Sequence, residues 1–311
     1  MPYSKGCNYG VCKLILLYLR EYHVHKSVGD AMVVSIASMK GGVGKSTLAA
    51  MLAKHIASSM YIPVTVVDMD PQRGATILLL GPQKTASHKG PSTYDVLKSE
   101  LDKIPSQEIL AQAVVPSSYH NRVRILPASA ALARLSGPDI PRSLLRLALC
   151  ESPYPQDPLI IIDTGPDLTL CEMSLAAADL AFIPVTLSHQ TGVPTLNTLQ
   201  AAFRLGCPIG GLIPTMAGNA KWGQQRMAQW RQSLRDTQLV KSRKIRLLPA
   251  MPYSQSAVRG TWRWGKLPNL FLPTLEGIRE LIFSDQAPMC EASTKEPVSS
   301  VDMIEGIADH G

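Results

Sequence analysis

The run Lys40-Gly41-Gly42-Val43-Gly44-Lys45-Ser46-Thr47 holds three glycines, two lysines and two hydroxyls in eight residues. That combination suits a polyphosphate. Glycines let successive backbone N–H groups turn inward around phosphate oxygens, and a helix opening just after them adds a favourable dipole. Lys45 would reach the β- and γ-phosphates, and the Ser46 hydroxyl would coordinate Mg²⁺. The run follows an apolar, β-branched stretch at 33–37 and precedes Leu48, Leu52 and Ile56 at four-residue spacing. Strand, glycine-rich loop and helix in that order are the context such a loop requires.

Two acidic strand ends can complete the site. The stretch 64–67 runs into Asp68-Met69-Asp70-Pro71-Gln72. Asp68 and Asp70 are two residues apart, so they share one face of a strand and both can approach the phosphates. Leu159-Ile160-Ile161-Ile162 runs into Asp163. A carboxylate emerging from a buried strand can hold Mg²⁺ through water, because this ion keeps much of its hydration shell. Thr164, Gly165 and Pro166 then form a candidate switch loop that senses the γ-phosphate.

Positioning these groups takes a particular kind of scaffold. Short β-branched runs occur at 33–37, 64–67, 123–126, 159–162, 180–185, 209–213 and 245–248. Most are nearly continuous in apolar residues, as strands buried on both faces should be. Helical patterns lie between several of them, including 48–56 and 196–204. Strands alternating with helices predict an α/β fold, a mostly parallel twisted sheet with helices on both faces. The stretch 82–91 reads as a loop, and so does 152–158. Residues 1–31 read as a poorly packed extension, 32–283 as the folded domain, and 284–311 as a mobile acidic tail with six acids against Lys295.

Composition narrows the possibilities. Of 311 residues, 45% are hydrophobic and 18% charged, which suits a globular chain with a large core. No apolar run approaches the roughly 20 residues needed to span a bilayer. The six cysteines are scattered without a C-x-x-C, which argues against a zinc ribbon or a dithiol redox pair. His23 and His25 would need further ligands to bind a metal, and the sequence supplies none nearby.

The phosphate loop departs from the common spacing. Met39 stands where a first glycine would be, and Lys40 adds a second cation. In this it resembles the deviant Walker A ATPases, the ParA/MinD family, whose K-G-G-x-G-K-[ST]-[ST] pattern is matched at every position. The D-x-D-P-Q block at 68–72 and the strand end at Asp163 resemble the family's other two blocks. Ile125–Ser129, Ala178–Pro184, Ile213–Met216 and Met251–Ser254 resemble shorter ones. The similarity implies a P-loop NTPase fold over 32–283, with ATP and Mg²⁺ as cofactors. Lys40 is implied to contact the nucleotide of the opposite subunit in an ATP-sandwiched homodimer, and Thr47 to bind the α-phosphate. Asp70 is implied to orient the attacking water, Asp68 to support Lys45 and the Mg²⁺ shell, and Thr215 and Pro252 to border the adenine.

The branch of the family is read from the remaining charge. The chain carries a formal +7, but 221–266 holds eleven bases and one acid, a local +10. Such concentration suggests an anionic partner. Arg226, Arg231, Arg235, Lys241, Arg243, Lys244 and Arg263 are the candidate DNA contacts. Trp222, Trp230, Trp262 and Trp264 lie among them and are not assigned to DNA, since core packing is the commoner role of such residues. The acidic tail is unlike the amphipathic membrane helix of a MinD-like protein. Cys171 has no motif partner for an iron–sulfur cluster, no tyrosine cluster ends the chain, and thirty-one residues before the first strand are too few for a helix-turn-helix domain. The resemblance thus implies a small ParA-like ATPase in the cytoplasm, associated with the nucleoid. It would bind double-stranded DNA without sequence preference and be stimulated by a ParB-like or cargo-adaptor partner. The alternative is an ATP-switched positioning or regulatory scaffold for a protein cargo or a membrane surface.

Overall fold

A computed structural model describes residues 31–150, 157–186, 192–217, 245–255 and 267–283, with isolated positions 232, 257, 262 and 265. Its strands are β1 (Met32–Ile36), β2 (Val64–Met69), β3 (Val115–Pro116), β4 (Val123–Leu126), β5 (Leu159–Thr164), β6 (Leu180–Thr186), β7 (Ile209–Ala217) and β8 (Met251–Pro252). They form one sheet in the order β3-β4-β2-β5-β1-β6-β7-β8. Every pairing is parallel except that of β3 with β4.

Every residue of β1, β2 and β5 is buried. The reason is the side-chain alternation of a strand between two covered faces. Val33, Val67, Ile160 and Ile162 enter one core, while Val34, Val66, Leu159 and Ile161 enter the other. The helices supply the covering layers. They are α1 (Lys45–Ser59), α2 (Gly74–Leu80), α3 (Pro82–Ser87), α4 (Thr93–Leu101), α5 (Gln107–Ala113), α6 (Leu144–Cys150), α7 (Leu168–Ala177), α8 (Gly192–Arg204) and α9 (Leu272–Ile282). Residues of α1, α2 and α9 fill the second core, and residues of α4 to α8 fill the first.

The helix after the phosphate loop is the most firmly held. Leu48, Leu52 and Ile56 are fully buried, and truncating such a side chain to alanine costs about 2–5 kcal/mol. Burial at this spacing fixes the direction in which α1 leaves the loop, and so fixes where Lys45 and Ser46 stand.

Four sequence expectations are corrected. The stretch 245–248 is not a full strand; Leu247 makes one parallel bridge to Leu212. The 82–91 loop begins with α3, because Pro82 sits in the first turn, where its missing N–H costs nothing. β3 was not expected, being a two-residue antiparallel edge strand. Ala31, assigned to the extension, is buried in the core. Residues 1–30 and 284–311 lie outside the described residues, and so do 151–156 of the second expected loop.

Candidate functional site

In a parallel sheet the C-terminal strand ends share one edge, which is where ligands of such folds bind. The loop 37–44 leaves β1 at that edge, Asp163 stands at the end of the neighbouring β5, and Asp68 at the end of β2, one strand further on. Register places Ile36 opposite Asp163, and Asp68 opposite Asp163. Topology alone therefore brings together three blocks that are far apart in the chain.

The loop has the backbone that its glycines foretell. Gly42 and Gly44 have φ of 73° and 86°, a region that costs glycine little and other residues more. Val43 between them is fully buried and anchors the turn. Two threonines hold the approach to it: Met39 N–H donates to Thr198 Oγ1 at 3.0 Å, and Ser38 N–H to Thr164 Oγ1 at 3.4 Å. Thr164 in turn donates to the Ile36 carbonyl, which ties the expected switch loop to the phosphate loop. Lys45 is buried, and its Nζ donates to the Lys40 carbonyl at 2.8 Å. Burial lowers its pKa, against the opposing pull of Asp163 and Asp70.

The carboxylates differ in what they hold. Asp68 is fully buried and commits both oxygens: Oδ1 accepts from Asp70 N–H at 3.0 Å, and Oδ2 from the Thr76 N–H and hydroxyl at 2.8 and 2.7 Å. Burial pushes its pKa up to about 6 despite these donors. Asp68 thus fixes the Asp70 backbone and the start of α2, a structural duty beyond the metal support expected of it. Asp163 is also fully buried, yet neither oxygen completes a hydrogen bond. Burial and the neighbouring Asp68 push its pKa well above the carboxylate range, while Ser46 and Lys45 pull it down. Two unpartnered, buried carboxylate oxygens beside a serine hydroxyl fit a divalent cation. No group of three or more His, Cys, Asp or Glu forms a metal cluster among the described residues. Mg²⁺ does not need one, since it binds through one or two side chains plus substrate phosphates.

Asp70 completes the group. Its Oδ1 accepts from Gln72 N–H at 2.9 Å. A Cβ on Gly165 would lie 3.2 Å from that same oxygen, so the candidate switch loop passes directly over this carboxylate. Sequence reasoning missed Thr76, Thr198 and Gly74. A threonine within the otherwise apolar Ala75–Leu80 stretch was the available signal for Thr76. Gly74 packs on Ser46: a Cβ there would lie 2.8 Å from Ser46 Cβ and closer still to its Oγ. Gly74→Ala should therefore displace Ser46. The expected result is a loss of about 1–3 kcal/mol in urea unfolding together with weakened Mg²⁺-dependent nucleotide binding. Parent-like values for both would contradict this close approach.

On the far side of the sheet, Thr215 of β7 and Pro252 of β8, the residues expected to border the adenine, lie on paired strands. Thr215 is buried, and its hydroxyl donates to the Val185 carbonyl. Trp262 is a core residue, with Lys54 Nζ donating to its carbonyl at 2.9 Å. Trp222, Trp230 and Trp264 lie outside the described residues, as do all seven candidate DNA contacts, Arg226, Arg231, Arg235, Lys241, Arg243, Lys244 and Arg263. Cys171 is a buried thiol pushed up to about 12 by burial, which makes it unreactive. No described helix is long and apolar enough to cross a membrane.

Comparisons with known proteins agree with this geometry. A family model described as an AAA domain matches residues 31–203. An uncharacterized protein of Pseudomonas putida is 34% identical over 197 residues, covering 60% of this chain and 70% of its own length. The chromosome-partitioning ATPase Soj of Thermus thermophilus is 31% identical over 210 residues, covering 64% of this chain and 75% of its own. The structure of a Cyanothece McdA variant in complex with ATP superposes with a TM-score of 0.64 at 22% identity, over 80% of this chain and 95% of that one. At that identity it speaks for the fold alone. The phosphate loop with its leading lysine, the two acidic strand ends on one sheet edge and the Soj relationship together place this chain in the ParA/MinD-type family of P-loop ATPases.

Proposed function

We infer that the chain is a partitioning or positioning ATPase, in which bound ATP bridges two copies and the paired copies bind duplex DNA without sequence preference. The observation that carries the ATP reading is Asp163, buried with both oxygens unpartnered beside Ser46 and Lys45. Ser46 and Asp163 would hold Mg²⁺, which would supply charge neutralisation on the phosphates. Gly41, Gly42, Val43, Gly44 and Thr47 would present N–H and hydroxyl donors to the phosphates. Lys45 would reach the β- and γ-phosphates, and Asp70 would hold the attacking water. Lys40 would serve the nucleotide of the second copy, which makes hydrolysis depend on pairing. A ParB-like or cargo-adaptor partner would stimulate hydrolysis and so release the DNA.

The local +10 of 221–266 supports the DNA half of this reading. Each neutralised phosphate contributes a log–log salt slope of about −0.9. Two copies with roughly three contacts each give a slope near −5, and one copy about half that. Binding to several unrelated duplexes at two salt concentrations, with ATP and with ADP, tests it. Tight, sequence-independent binding is expected with ATP, weakened uniformly when Arg243, Lys244 and Arg246 are replaced by Glu. No binding in any condition would overturn the DNA assignment, and preference for anionic vesicles would move the basic segment to a membrane.

A further inference from the structure

Arg73 has a backbone that its side chain does not favour. Its φ and ψ are 60° and 37°, the left-handed region. Four described non-glycine residues have positive φ: Tyr61, Arg73, Lys103 and Met216. Tyr61 and Lys103 follow the C-terminal caps of α1 and α4, where a left-handed residue is an ordinary helix ending. Arg73 instead precedes a helix. Its N–H donates to the Asp70 carbonyl at 2.8 Å, and its carbonyl accepts from Ile77 N–H at 2.9 Å. The residue thus joins the Asp70 turn to α2. A side chain with a Cβ is disfavoured there, and strain of this kind is typically retained at functional positions.

The location is as informative as the strain. Arg73 is three residues from Asp70, and its neighbour Gly74 packs directly on Ser46. A Cβ on Gly74 would also lie 3.9 Å from Asp163 Oδ2. Arg73 therefore sits at the corner of the site where the expected metal ligands and the expected water-orienting carboxylate meet. It is half-buried. Yet among the described residues no hydrogen bond or ion pair holds its guanidinium. A permanently charged, planar fork with five donors is suited to phosphate oxygens.

We propose that Arg73 is a catalytic residue whose guanidinium donates to the γ-phosphoryl oxygens of the nucleotide bound in its own subunit. This rests on the ATP reading above. In phosphoryl transfer, negative charge spreads over three equatorial oxygens. Lys45 would reach them from the phosphate loop, and Arg73 would reach them from the turn that follows Asp70. Arg73 forms no bond to the transferred group; it stabilises the charge that develops there.

The strain makes the test sharp, because Arg73→Gly relieves it. This variant should unfold at a urea concentration no lower than the parent. Its affinity for ATP should nevertheless fall about 10-fold or more, as expected for loss of a charged hydrogen bond, with affinity for ADP unchanged. Hydrolysis should fall about 100-fold. Arg73→Asn, which tolerates the same backbone, should behave alike. Arg73→Lys, which keeps the charge without the fork, should recover part of the ATP affinity. Measured with fluorescent ATP and ADP analogues in the presence of Mg²⁺, an unchanged ATP-to-ADP affinity ratio in the glycine variant overturns the inference. Equal losses for both nucleotides overturn it too, since the contact would not be to the γ-phosphate. A parent protein that binds no ATP overturns the underlying reading and the inference with it. A parent that binds and hydrolyses ATP beside an unaffected glycine variant overturns the inference alone.

Discussion

Replacing Lys45 with alanine is expected to remove measurable nucleotide binding. The ammonium is buried at the sheet edge, close enough to Asp163 and Asp70 to feel both charges. It is the cation the phosphate loop itself brings to the bottom of the site. A charged hydrogen bond is worth about 1.5–3 kcal/mol, and Lys45 would make more than one to the β- and γ-phosphates. The expected loss is therefore about 100-fold or more in affinity. Folding is a separate matter. With the cation gone, Asp163 keeps only the Ser46 hydroxyl to favour its charged form, and burial favours protonation. The variant should thus remain folded, with a native-like circular dichroism spectrum. Titration calorimetry with ATP and Mg²⁺ checks the binding. Parent-like affinity in a folded variant would remove the phosphate-loop assignment altogether.

Asp70→Ala should separate binding from chemistry. Its carboxylate lies where the switch loop passes, at Gly165, and the phosphate-loop backbone and Lys45 remain in place without it. Asp68 holds the Asp70 backbone N–H, so the turn should survive loss of the side chain. Nucleotide should still bind within a few-fold of the parent. Hydrolysis should fall about 100- to 10,000-fold, the range for losing a positioned acid–base group. Phosphate release measured over hours, with ATP affinity measured in parallel, distinguishes the two. Normal turnover would return Asp70 to a purely structural role.

Much of this arrangement is legible in the residues themselves. β1, β2, β5 and β6 are near-continuous apolar runs, because both faces of each strand are covered. The eight residues of the phosphate loop carry their own backbone requirement in Gly42 and Gly44. What is not legible depends on pairings between distant positions. That Asp68 is tied to Thr76 while Asp163 is left unpartnered follows from the register of β2 on β5 and from the path of α2, and neither has a sequence signature. Glu172 reads as an ordinary helix acid, yet it is buried on α7, paired with Arg142 at 2.7 Å and with Arg204. The left-handed backbone at Arg73 was invisible for a related reason: sequence reading looks for glycine or asparagine at such positions. β3 and α3 were missed because two residues are too few to show alternation, and because Pro82, Gln83, Lys84 and Ser87 have the composition of a loop.

The central claim is that the nucleotide in this site governs pairing of two copies. Sedimentation equilibrium of the Asp70→Ala protein, with Mg²⁺ and either ATP or ADP, tests it most directly, because the variant should hold ATP without consuming it. The account predicts a mass near the 33.7 kDa of one chain with ADP and twice that with ATP, with the ATP-dependent species weakened when Lys40 is also replaced by alanine. A single-chain mass under both nucleotides, in a protein shown to bind ATP, would contradict it.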